Sequence, residues 1–210
     1  MRLGRLVKHD PASRAFEAAR APALHSVQHV AHGLPLDQGS LGSCTGNALI
    51  GALQCLPGSS YTESDARSLY ALETQLEGTP WPPNDPGGSG LMVCKAAKQL
   101  GMITSYAHAF GLAHALHALV LRPVITGIDW YSSFDNPNMG GRVEITPGAT
   151  IRGGHEVVVT GIDVEHQLIW CWNSWGPSYG LGGRFCMDWG TWDHLLQTQG
   201  DVTVPHTKVG

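Results

Sequence analysis

The stretch Asp37-Gln38-Gly39-Ser40-Leu41-Gly42-Ser43-Cys44-Thr45-Gly46-Asn47-Ala48-Leu49 sets a cysteine where a turn-rich run meets an apolar, helix-compatible segment. A helix opening at Cys44 puts its sulfur at the positive end of the helix dipole, among backbone N–H groups without helical partners. That position favours thiolate over thiol. Gly39 and Gly42 permit a tight turn or the close approach of a substrate. Gln38, six residues before the sulfur, can donate an amide hydrogen bond toward a charge forming there. Taken alone, a cysteine at a helix start is more often a small buried hydrophobe.

Two later stretches alter that balance. Gly153-Gly154-His155-Glu156-Val157-Val158-Val159 reads as a histidine leading into an apolar strand. Ile169-Trp170-Cys171-Trp172-Asn173-Ser174-Trp175-Gly176 follows, with Gly180, Gly182, Gly183 and Phe185 close behind. Cysteine, then histidine, then asparagine is the chain order of a thiol nucleophile, its base and an amide that orients the base. From about Leu34 to about Trp189 the chain resembles the papain-like cysteine peptidases. Gln38 and Cys44 match that family's Q-x5-C block, Gly154-His155 its G-H-A block, and Asn173 to Gly176 its N-S-W-G block. The resemblance implies an α+β, two-lobed fold with the site in the cleft between the lobes. It implies Cys44 as nucleophile, His155 as base and Asn173 as orienting amide. Gln38 and the Cys44 N–H would form the oxyanion hole, and Trp175 would shield the His155–Asn173 bond. Gly87-Gly88 resembles the family's substrate-pairing Gly-Gly strand, with Ser89 and Gly90 just after it.

The departures are specific. Leu41 stands where the family commonly has a cysteine, and Thr45 where it has an aromatic. His155 and Asn173 follow Cys44 by 111 and 129 residues, shorter than the about 130–150 usual for the family. Glu156 replaces the small residue usual after the histidine, and Pro177 and Tyr179 also differ. The pattern fits a compact bacterial or phage member. The expected activity is a cysteine endopeptidase working through a thioester acyl-enzyme, with protein or peptide substrates and no cofactor or metal. A peptidoglycan amidase or endopeptidase on the same triad, and a non-catalytic peptide-binding member, are the alternatives.

Composition narrows the classes. Charged residues are 14% of the 210, with 27 glycines and 13 prolines, which implies many turns. A net charge of −4 gives no electrostatic footprint for nucleic acid. No apolar run is long enough for a membrane span, and no signal-peptide pattern opens the chain, so a cytoplasmic, reducing setting is expected. Five cysteines leave at least one thiol unpaired, and the missing partner at Leu41 argues that the fold needs no disulfide.

In order, residues 1–33 read as a short extension that modulates access to the cleft. It holds a helix from Asp10 to Ala21, and His25, His29 and His32 at helical spacing are read as a packed or solvated face. Residues 34–111 read as a helical lobe, with helices from Cys44 to Leu56, from Thr62 to Leu76 and from Leu91 to Leu100. Residues 112–210 read as the β lobe, with a helix over Leu112–Leu121 and strands at 124–128, 156–162, 168–172 and 182–188. Strict alternation turns Glu156 away from His155, toward solvent or toward Arg152 or Arg184. Aimed into the cleft instead, Glu156 would select a basic or polar substrate side chain.

Overall fold

The computed structural model describes residues 2–207; residue 1 of the expected extension and residues 208–210 of the expected β lobe lie outside the described residues. Among the described residues there are five helices: α1 (Cys44–Leu53), α2 (Glu63–Leu76), α3 (Gly90–Gln99), α4 (Leu112–Leu121) and α5 (Trp189–Thr198). The strands are β1 (Val27–Gln28), β2 (Ser105–Ala109), β3 (Val124–Tyr131), β4 (Ile151–Asp163), β5 (Leu168–Trp172), β6 (Arg184–Asp188) and β7 (Asp201–His206). They form one antiparallel sheet in the order β2-β7-β3-β4-β5-β6, with β1 pairing on β4.

Two apolar clusters lie on either side of β4. Val157 and Val159 belong to one, with Ile128, Trp130, Phe185 and Trp192. Val158 points to the other, with Leu49, Leu53, Leu69 and Val93 of α1, α2 and α3. Each of these fully buried leucines contributes roughly 1.5–3 kcal/mol over an exposed one. The period-2 alternation of the strand thus sends successive residues into different cores. Every residue of α1 is buried. It fits because Gly46 and Gly51 present no side chain: a Cβ would meet the Ala66 carbonyl at 2.5 Å and Val158 at 2.8 Å. The start of α2 is the expected capping box, with Thr62 N–H donating to Asp65 Oδ2 at 2.7 Å.

Several local readings change. The Asp10–Ala21 helix is only a 3-10 turn over Pro11–Ala15, capped by Asp10. Its remaining N–H groups go elsewhere, Ala18 to the His108 carbonyl and Ala21 to the His117 carbonyl. Both alanines are buried, so contact with the body outweighs helix propensity here. His25, His29 and His32 share no helical face, since Val27–Gln28 is a strand; His29 Nε2 lies 2.7 Å from the Leu119 carbonyl oxygen. β4 starts earlier than expected, so His155 lies inside it. β2, in the stretch read as helical lobe, pairs with β7. Neither β7 nor α5 was expected. All five cysteines are free, and no helix among the described residues is long and apolar enough to cross a membrane.

Candidate active site

α1 starts at Cys44, and the side chain of its N-cap, Ser43, makes no cap bond. The first turn therefore keeps its N–H groups for other partners. The sulfur is fully buried, faced by the backbone N–H groups of Glu156 and Gly4. Glu156 directly follows His155, so packing α1 on β4 brings Cys44 and the strand that carries His155 together.

His155 is also fully buried. Its Nε2 lies 2.8 Å from Asn173 Oδ1, which accepts from Ser174 N–H at 2.8 Å as well. An atom accepting from a backbone N–H must be the amide oxygen, so His155 Nε2 carries the proton. The other ring nitrogen, Nδ1, is buried without a partner among the described residues. Trp175 covers the imidazole at 5.1 Å between centroids, tilted 31°. Trp130 meets it edge-on at 4.8 Å. Sequence reading missed Trp130; its only signal was an aromatic in the apolar strand Val124–Tyr131.

Electrostatically the site is shut. Burial pushes the Cys44 thiol up to about 12, partly opposed by the two N–H groups and reinforced by Glu156. Burial pulls His155 down to about 4, against the Asn173 hydrogen bond. Both are neutral as the chain stands, unlike the thiolate expected from the helix start alone.

Residues near the start of the chain contribute to the cover over Cys44, where Gly4 faces the sulfur. Residues 2–6 form a strap through the cleft, bridged in parallel to Gly88 and antiparallel to Gly154 at Arg5. Gly88 N–H donates to the Gly4 carbonyl (2.8 Å), Leu6 N–H to the Gly88 carbonyl (2.6 Å), and Arg5 N–H to the Gly154 carbonyl (3.0 Å). Gly87 has φ +85°, and a Cβ there would strike the Gly4 carbonyl oxygen, so only glycine fits. Gln38 is held by Ser174 Oγ, which donates to its Oε1 at 2.6 Å. Its Nε2 donates to the carbonyls of Leu41 (2.7 Å) and Arg2 (3.3 Å). The strap thus touches Gln38, Gly87, Gly88 and Gly154 at once. Ser89 instead caps α3, accepting from Met92 N–H, and leaves Gly90 as a wall.

Glu156 alternates away from His155 as expected, yet it is buried rather than solvated. Arg152 pairs with Asp135, and Arg184 stacks over Trp170 and Trp172, so neither reaches it. Burial and the Asp201 charge push its carboxyl well above the usual range, and Arg5 pulls it back. Across the cleft Glu73 is equally buried, accepting from Thr45 Oγ1 (2.6 Å) and Ser89 N–H (2.8 Å). Burial pushes Glu73 up to about 8, against those hydrogen bonds. Glu73, Asp201 and Arg5 were missed in the sequence. A carboxylate on the Ala66, Leu69, Tyr70 stripe was the available signal for Glu73, and the alternating Asp201-Val202-Thr203-Val204 for β7. Nothing local marks Arg5. No group of side chains fit to hold a metal occurs among the described residues.

Xylellain, a cysteine protease from Xylella fastidiosa, superposes with TM-score 0.81 at 23% identity, over 99% of this chain and 96% of that one. The fold is the papain-like one. A Carica candamarcensis cysteine protease, CMS1MS2, solved in complex with E-64, gives TM-score 0.65 at 16% identity over 88% of this chain and 99% of that one. The ragweed pollen cysteine protease Amb a 11, solved in its proform, gives 0.63 at 17% identity over 90% of this chain and 67% of that one. No protein-family model and no curated protein sequence matches the chain.

Proposed function

We propose that the chain is a cysteine peptidase that hydrolyses peptide bonds in the cleft between a helical lobe (34–111) and a β lobe (112–210). One observation carries the reading. Asn173 fixes the His155 tautomer so that Nδ1 is the free, buried acceptor. Once the strap is displaced and the cleft is wetted, the Cys44 proton passes to Nδ1. The thiolate attacks the substrate carbonyl carbon, and the oxyanion meets Gln38 Nε2 and the Cys44 N–H. The C–N bond breaks as the imidazolium returns its proton to the amine. His155 then takes a proton from water, whose oxygen displaces the thiolate from the thioester, and the proton returns to sulfur. Asn173 keeps the ring oriented throughout, and the Trp175 and Trp130 rings keep water off their bond.

The test is labelling with an epoxide inactivator of thiol peptidases, mapped by mass spectrometry, alongside turnover of casein and of peptidoglycan. The label is expected on Cys44, and Cys44→Ala should lose at least about 10⁴-fold in casein turnover while melting cooperatively. Label on another cysteine, or full activity in Cys44→Ala, overturns the reading. Peptidoglycan digestion without casein digestion moves the substrate to the cell wall.

A further inference from the structure

The Arg5 side chain is fully buried in a pocket beside the nucleophile. Its Nη2 donates to Asp201 Oδ2 and to the Gln199 carbonyl (2.6 Å). Its Nε and Nη1 have no hydrogen-bond partner among the described residues, and neither does either oxygen of Glu156 or Oδ1 of Asp201. The walls are glycines. A Cβ on Gly127 would sit 2.9 Å from the Arg5 Cζ and 2.7 Å from Glu156 Oε2; one on Gly90 would sit 2.9 Å from Glu156 Oε1 and 3.2 Å from Asp201 Oδ1. The pocket therefore combines carboxyl groups from two strands, a backbone carbonyl and flat, side-chain-free walls.

A buried carboxyl without a donor is costly, and an apolar occupant would leave two in that state. A guanidinium suits the space because its donors lie in one plane, with carboxyl groups around its rim and glycine at its sides. We infer that this pocket, built by Glu156, Asp201, Gln199, Gly90 and Gly127, is a specificity site for a basic substrate side chain, arginine above all, and that Arg5 is its internal stand-in. The cleavage preference rests on the peptidase reading; the binding preference does not.

The experiment uses the full chain carrying Arg5→Ala, which vacates the pocket and keeps the remaining anchors of the extension. A positional-scanning fluorogenic peptide library measures cleavage. In parallel, thermal melting measures stabilisation by N-acetyl-arginine amide against the neutral isostere N-acetyl-citrulline amide. At one position before the scissile bond, Arg and then Lys should exceed Leu and Phe by about tenfold or more, a difference of about 1.4 kcal/mol. Arginine amide should raise the melting midpoint where citrulline amide does not. Adding Asp201→Asn should remove most of both preferences. A ranking led by Leu or Phe that Asp201→Asn leaves unchanged overturns the inference, as does equal stabilisation by arginine and citrulline amides. If no peptide is cut and no thiol is labelled, yet arginine amide stabilises selectively, the peptidase reading fails and the pocket stands.

Discussion

His155 and Glu156 are neighbours on β4 and face opposite cores, and their surroundings differ in kind. On the His155 side one ring nitrogen is fixed by Asn173, two tryptophans pack against the ring, and a single acceptor is left open. On the Glu156 side both carboxyl oxygens lack hydrogen bonds, and the cation acting on them is Arg5 of the strap. The first arrangement is complete in itself and lacks only a reactant. The second has its compensating charge from Arg5, a residue of another segment of the chain. On the proposed reading, one strand would separate chemistry from recognition through its two-residue period.

The sharpest way to break the comparison is to damage one side and read the other. Asn173→Ala removes the acceptor that holds the imidazole. It should lower kcat by about a hundredfold with little change in KM. The ranking of side chains in the peptide library should not move. A changed ranking would show that the two faces are coupled.

Reactivity of the thiol comes next. Between about pH 4 and about 12 both Cys44 and His155 are neutral under the strap. Alkylation of Cys44 by iodoacetamide in the full chain should therefore be slow at pH 7 and climb as pH rises. Loosening the strap with Arg5→Ala lets water in, which lowers the thiol and raises the imidazole. The rate at pH 7 should then rise by about tenfold for each unit by which the thiol falls. A rate at pH 7 equal to that of the full chain would show that the strap does not hold the site neutral.

The smallest effect concerns Glu73, the buried carboxyl that is satisfied. Its folded value of about 8 lies above the ordinary 4.5. Stability from this group is fully present below 4.5 and is lost as pH rises through about 8. Glu73→Gln stays neutral, so its melting midpoint relative to wild type should climb between pH 5 and pH 8. A constant difference across that range would mean that Glu73 is ionised throughout.

Much of this was legible along the chain. The Cys44 helix start, the Thr62–Asp65 capping box and the Leu112–Leu121 helix rest on local rules, and the structure places them where those rules do. The papain-like resemblance supplied His155, Asn173 and Gln38 as candidates, and the structure brings His155 and Asn173 into contact. The Asp10–Ala21 segment misled because its alanines promise a helix while its N–H groups are taken by β2 and α4. Arg5 and Asp201 are 196 residues apart. Their pairing comes from an added strand, β7, and a strap, neither of which leaves a periodic trace at the pocket. Trimming the chain at Leu34, as the sequence alone would suggest, would also strip β1 and the buried Ala18 and Ala21. Arg5→Ala is the cleaner perturbation.

The strap is joined to the body it crosses, since Ala18 is tied to the His108 carbonyl only a short distance along the chain. A ligand on such a tether is present at an effective concentration on the order of millimolar, however dilute the protein becomes. Dilution will not release it, and added enzyme will not titrate it away. On the peptidase reading, an incoming peptide competes against a fixed local supply, so its apparent KM is its intrinsic value divided by the fraction of molecules with the strap out. If the inferred pocket is a specificity site, residues 2–6 would set a threshold on substrate: a peptide carrying the matching charge would cross it, and one without that charge would find the seat taken.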